Sequence, residues 1–231
     1  MAERFLVKPS PGFTCGPRAL LVLTEPDFRF FGKVFRFARR TRLFLSEVLY
    51  DERGVLLGPA LGAPQVAMLL ENLRTAGVRE ILLLGWAGAL TSKIPLRSIF
   101  LSQKALALEG TSRLYFPRRR VFFPERNLFQ KFKANLLRLG LPFKEGAVVS
   151  TDAPYREDEV FLEKYGRRYE AVDMETSAAL AVGGALELSV VACHFISDRL
   201  TLAGRQTVSS RELRACREAL IEPLRTFLEG E

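Results

Sequence analysis

Ala171-Val172-Asp173-Met174-Glu175-Thr176-Ser177-Ala178-Ala179-Leu180 sets two acidic residues inside a run that is otherwise apolar or small. A buried carboxylate is costly unless something binds it, so these residues decide how the chain is read. Residues 169–172 read as the end of a strand. Residues 177–188, rich in Ala, Leu and Gly, read as a helix. Glu175 then falls at the strand-to-helix junction, where unpaired amides and the positive end of the helix dipole favour the ionised form and both oxygens can accept hydrogen bonds. Two readings are open at this point. Asp173 and Glu175 cap the helix, or Glu175 is a fixed bidentate acceptor of the kind that suits a vicinal diol.

Working outward, the chain follows α/β grammar. Apolar residues recur at helical spacing in Val66, Leu69, Leu70 and Leu73, and Gly77 follows as a stop. Ile81-Leu82-Leu83-Leu84 reads as a buried strand closed by a glycine turn, Gly85-Trp86-Ala87-Gly88. Such a turn serves tight geometry or lets backbone amides approach a ligand. Residues 20–23, 99–106, 147–150 and 190–196 read as further strands, residues 43–57 as two strands around a turn at 51–54, and residues 24–27 as a turn. Residues 128–139 and 210–228 read as amphipathic helices, the second interrupted by Pro223. Polar groups collect at several strand ends, where α/β sheets bind ligands.

At 231 residues with 48% hydrophobic content, one domain over residues 1–231 can bury a sizeable core. The net charge of +8 has its excess in residues 29–42 and 113–144, both interleaved with phenylalanine. Such patches bind single strands, line anionic small-molecule sites or are solvated faces. The chain carries no motif of a nucleic-acid module, so no nucleic-acid partner is expected. Three cysteines without paired spacing indicate neither a disulfide framework nor a metal site. Glu3 and Arg4 precede no apolar stretch of signal-peptide length and no run reaches transmembrane length. A cytoplasmic protein with no membrane partner is expected.

Gly85-Trp86-Ala87-Gly88, Glu109-Gly110-Thr111-Ser112, Ser150-Thr151-Asp152-Ala153-Pro154-Tyr155, Val172-Asp173-Met174-Glu175 and Ile196-Ser197-Asp198 together resemble, in order and spacing, the nucleoside phosphorylase family. That family includes purine nucleoside and uridine phosphorylases and related nucleosidases. The resemblance implies a three-layer α/β/α fold around a mixed, partly closed central sheet, and cleavage of a nucleoside's N-glycosidic bond without a cofactor beyond phosphate as co-substrate. It implies Glu175 on the ribose hydroxyls, Met174 packed on the sugar, Tyr155 stacked on the base and Asp198 as the acid that protonates a purine base. Arg211 matches an arginine that approaches this acid during catalysis. A homo-oligomer, dimer to hexamer, is also implied.

The pattern breaks at the phosphate contacts. The family's arginine and Ser or Thr around the glycine turn are here Leu83 and Trp86, and its amino-terminal phosphate loop survives only as Thr24-Glu25-Pro26-Asp27-Phe28, with Arg29 one place late. Each charge-assisted bond to phosphate is worth about 1.5–3 kcal/mol. Three functions are therefore open: a phosphorylase whose phosphate site is rebuilt from Gly85, Arg29, Arg42 or their neighbours, a nucleosidase that uses water oriented by Glu175 or Glu25, and a nucleoside-binding protein without turnover. His194, the single histidine, sits in an apolar strand and reads as a satisfied core residue.

Overall fold

Two long strands, β5 (Glu80–Ala89) and β10 (Ser189–Thr201), run parallel and pair from Glu80↔Ser189 to Ala89↔Arg199. Each is an almost unbroken apolar run, as strands covered on both faces are. The computed structural model describes residues 6–230; Glu3 and Arg4, used above to expect no export signal, lie outside the described residues.

Five strands close on themselves. β10 pairs antiparallel with β6 (Ile99–Ala107), β6 parallel with β8 (Phe143–Ser150), β8 parallel with β9 (Ala171–Asp173), and β9 antiparallel with the end of β5. An open wing continues from the start of β5 through β1 (Arg18–Val22), β4 (Val55–Gly58), β3 (Ser46–Tyr50) and β2 (Arg39–Leu43). β7 (Val121–Phe122) pairs with β6, and β11 (Gly204–Thr207) hairpins back on β10. The result is a mixed sheet partly closed into a barrel, as expected.

Period-two alternation assigns the faces. Ala19, Leu21, Ile81 and Leu83 pack with α2 (Ala63–Ala76) and α6 (Thr176–Ala185). Leu20, Val22, Leu82 and Leu84 pack with α1 (Glu25–Phe35), α4 (Arg126–Arg138) and α7 (Arg214–Glu229). Ala87, Phe100, Val148, Ala171 and Ile196 fill the closed part. Two shorter helices, α3 (Ser112–Tyr115) and α5 (Glu159–Tyr165), complete the seven α-helices among the described residues.

Several local expectations change. Gly85-Trp86-Ala87-Gly88 is not a turn: β5 runs through it, because β10 supplies ladder partners up to Ala89. Gly85 lies against Leu23, whose Cδ1 would sit 2.5 Å from an added Cβ. β10 likewise passes Ser197-Asp198, absorbing a register shift there. Residues 24–27 do not form a turn; Thr24 occupies the position before α1 without a side-chain cap hydrogen bond, and the first turn of α1 holds Glu25, Pro26 and Asp27. The two strands expected within residues 43–57 are β3 and β4 around the turn at 51–54, and β2 adds a further strand before them.

Leu83 is fully buried in the α2/α6 layer. Leu83→Ala should cost about 2–5 kcal/mol of stability, read from urea unfolding.

Candidate active site

On one edge, β5 pairs with β1 over Glu80–Leu84 and with β9 over Gly88–Ala89. Between these pairings the sheet forks, and a cavity of about 210 Å³ opens there, lined by Leu23 and Thr24 after β1, Trp86 to Gly88 on β5, Asp173 at the end of β9, and Met174 and Glu175 after it. Fork and cavity coincide because β1, parallel to β5, and β9, antiparallel to it, both end at this gap, and the carboxyl ends of strands are where α/β sheets bind ligands.

The two acids of the central stretch divide the two roles read for them. Asp173 is the cap. Its Oδ2 accepts from the Thr176 amide at 2.8 Å and the Thr176 hydroxyl at 2.5 Å, and its Oδ1 from Ser150 Oγ at 2.5 Å. Burial alone would raise its pKa, but His194 Nε2 at 3.4 Å, with these hydroxyls, holds it below the usual carboxylate range. His194 is fully buried and bonded to Thr176 Oγ1 at 3.0 Å and Ser102 Oγ at 3.3 Å, a satisfied core residue.

Glu175 faces the cavity. Gly62 N–H donates to its Oε1 at 2.6 Å and Met174 N–H to its Oε2 at 3.2 Å. Burial, with the charge of Asp173 behind it, pushes Glu175 up to about 8 against the pull of these two amides. Each oxygen keeps acceptor capacity for a donor arriving from the cavity. Met174 lines the wall beside it.

At the other end stand Asp198, Arg205, Glu157 and Pro154. Asp198 Oδ2 accepts from Arg205 Nε at 2.7 Å and Oδ1 from Ser197 Oγ at 2.7 Å. Gly88 makes room for it: an added Cβ would stand 2.7 Å from Asp198 Oδ2.

Trp86 closes a third side. Its parity on β5 places it on the α1/α7 face, where Nε1 donates to Asp27 Oδ2 at 2.8 Å. Asp27 also accepts from Arg217 Nε, and the other guanidinium nitrogens of Arg217 donate to Ser210 O at 2.6 Å and Ser210 Oγ at 2.9 Å. Asp27 and Arg217 are both buried. Every nitrogen of that cation is engaged within the fold.

The profile of the phosphorylase superfamily matches residues 19–229. The chain belongs to the phosphorylase superfamily. Its sequence is 27% identical over 175 residues to a DeoD-type purine nucleoside phosphorylase of Bacillus cytotoxicus, covering 71% of this chain and 74% of that protein. The fold is similar to that of purine nucleoside phosphorylase from Toxoplasma gondii in complex with immucillin-H (TM-score 0.80, 16% identity, 100% of this chain and 98% of that one). It is also similar to that of AMP nucleosidase from Bacteroides thetaiotaomicron (TM-score 0.76, 20% identity, 94% and 90%). The same fold is thus used by a nucleoside phosphorylase and by a nucleosidase.

Of the residues expected at a superfamily site, Met174, Glu175, Asp198 and Trp86 meet at the one cavity. The others do not. Tyr155 is 99% exposed, and its neighbour Pro154 takes the place at the wall. Arg211 is exposed in the segment before α7, and the guanidinium on Asp198 is that of Arg205. Arg29 pairs with Glu25 on the outer face of α1, where the helical i, i+4 spacing joins them, and lines a separate surface hollow with Arg40. Glu25 is thereby also off the cavity. Arg42 is exposed on β2, at the edge of the wing. Leu83 faces the opposite layer from Trp86, and Gly85 lies under Leu23.

Glu157, Arg205, Asp27 and Arg217 were not singled out from the sequence. The first two come from loop and hairpin segments without periodicity, and the last two meet across 190 residues. An acid inside an aromatic run, Asp27 among Phe28, Phe30 and Phe31, was the available signal.

A carboxyl whose pKa is raised by folding keeps its proton in the native state between its unfolded and folded values, so its contribution to stability falls as pH rises through that window. For Glu175 the window runs from about 4.5 to about 8. Urea unfolding of the wild type should therefore show stability declining from pH 5 to pH 9, and Glu175→Gln should flatten that decline.

Proposed function

We propose that the chain cleaves the N-glycosidic bond of a purine-type nucleoside and that the acceptor is water. The observation that carries this reading is the charge and shape of the cavity wall. Four acids, Glu157, Asp173, Glu175 and Asp198, line it against one arginine, Arg205, which is bonded to Asp198. The indole of Trp86, held by Asp27, stands where a phosphate would need donors. A wall rich in carboxyl oxygens stabilises the cationic, oxocarbenium-like transition state of glycosidic cleavage, and with its one guanidinium already on Asp198 it offers an anionic acceptor no free cation.

In this reading the ribose diol donates to Glu175, which the Gly62 and Met174 amides hold in place, and Met174 packs on the sugar face. The base lies toward Pro154, Asp198 and Glu157, its polar edge meeting the only carboxylate–guanidinium pair on the wall. Positive charge growing at C1′ is then flanked by carboxyl groups while water adds from the Trp86 side. Thr24 Oγ1, buried without a hydrogen-bond partner among the described residues, lines that side and can accept from or donate to such a water. Phosphorolysis is the competing acceptor chemistry, favoured by the sequence likeness to a DeoD-type phosphorylase.

The test is free-base release from adenosine, inosine and uridine with and without inorganic phosphate. Release from the purine nucleosides at a rate indifferent to phosphate, yielding free ribose, is expected, with Glu175→Ala lowering kcat/KM by about 10²–10³. Release that requires phosphate and yields ribose 1-phosphate would make the chain a phosphorylase and remove the role given to Trp86. Binding without release would make it a nucleoside-binding protein.

Trp86 is also the single tryptophan of the chain, so its fluorescence reports the cavity directly. Adenosine should change its emission in the wild type, whereas inorganic phosphate alone should not.

A further inference from the structure

We propose that the surface around β7 is a binding site for single-stranded nucleic acid, separate from the cavity. None of its residues lines that cavity, so the inference stands apart from the glycosidic-cleavage reading.

Positive charge collects there without compensation. Arg118, Arg119 and Arg120 follow one another between α3 and β7, Arg126 opens α4, and Lys104 precedes Ala105 of β6, the partner of Phe122 on β7. All five are exposed. None is paired with a carboxylate among the described residues. Glu125 is the only acid between residues 110 and 144. Its two oxygens are taken by the Asn127 and Leu128 amides, at 3.0 and 2.8 Å, as the cap of α4. A surface of this sign draws a polyanion, because each phosphate it neutralises releases a counterion.

The aromatic residues narrow the chemistry of the partner. Arg119 Cζ lies over the Phe122 ring at 5.1 Å and over the Phe116 and Phe123 rings at 6.0 Å each, while its Nε donates to Val121 O at 2.7 Å. The guanidinium is thus fixed by its own segment, backed by rings and exposed to solvent. Phe123 beside it is 57% exposed. Nucleobases stack on guanidinium planes and on aromatic rings of this kind, and flanking cations track the phosphates. An anionic membrane would call for an apolar helix face to insert; α3 spans only Ser112–Tyr115, and α4 turns Leu128, Phe129, Phe132 and Leu136 into the core. The absence of a module motif, on which the sequence expectation of no such partner rests, speaks against a dedicated domain and leaves a surface of this composition open.

The experiment measures, by fluorescence anisotropy, binding of labelled oligouridylate and oligodeoxythymidylate of equal length to the full chain. Both should bind, with an association constant that falls as salt rises from about 50 to about 200 mM; a preference for one would name RNA or DNA as the source. Arg118→Ala with Arg120→Ala should reduce the slope of log K against log salt by about 1.4. Arg119→Lys, which keeps the charge and gives up the plane, should weaken oligonucleotide binding about fivefold or more at an unchanged slope. It should leave binding of heparin, a polyanion without bases, as in wild type. Unchanged melting temperatures would exclude a folding defect in either variant. The proposal is overturned if neither oligonucleotide binds at low salt, or if the arginine variants bind them as wild type does. Equal weakening of heparin and oligonucleotide in Arg119→Lys would overturn it in favour of a general anion surface, and binding to phosphatidylserine vesicles with none to the oligonucleotides would overturn it in favour of a membrane.

Discussion

The site hangs on one buried carboxylate. Asp173 sits among three hydrogen-bond donors from β8 and α6, and against His194 of β10. A lone ionised carboxylate at that depth would be too costly to keep. Its partners make it tolerable, and in satisfying it they lock four elements together. Because α6 must begin where Asp173 can cap it, Glu175 is fixed one residue earlier, at the cavity wall, with its oxygens placed by Gly62 and Met174. The same charge raises the pKa of Glu175. The group that anchors the structure thus tunes the group that lines the cavity.

A second buried network behaves similarly on the other side of β5. Asp27, Arg217, Trp86 and the Ser210 segment satisfy one another, which leaves the indole as wall and the guanidinium with nothing to offer a ligand. Removing either charge alone would strand its partner in the core. The polarity of the chain as a whole misleads here. The net charge is +8, yet the cavity is lined by four acids and one arginine. The excess lies elsewhere, as where Arg119 stacks on Phe116, Phe122 and Phe123. Local field, not net charge, governs what the cavity admits.

The closed half of the sheet supplies the remaining constraint. β5 and β10 pair along ten registered positions, and β9 closes the ring on the far side. Where β1 gives way to β9, the backbone of β5 has no lateral partner on that edge, and the cavity occupies the gap. Glu175, just after β9, and Asp198, within β10, are therefore held on opposite edges of β5.

Local pattern carried much of this in the sequence itself. Apolar runs marked β1, β5, β6, β8 and β10, helical spacing and a glycine stop marked α2, and acids in an apolar run marked Asp173 and Glu175, because burial periodicity and desolvation cost are legible residue by residue. The order of motifs carried the family. Tertiary structure alone decided which acid caps and which faces the cavity, that the glycine segment of β5 stays a strand, and that Leu83 and Trp86 face opposite layers. It likewise set Arg205 on Asp198 in place of Arg211, left Tyr155 in solvent, and brought Glu157 and the Asp27–Arg217 pair into play. Each of these depends on a ladder partner or an ion pair supplied from far along the chain, and no window of sequence contains both sides of such a contact.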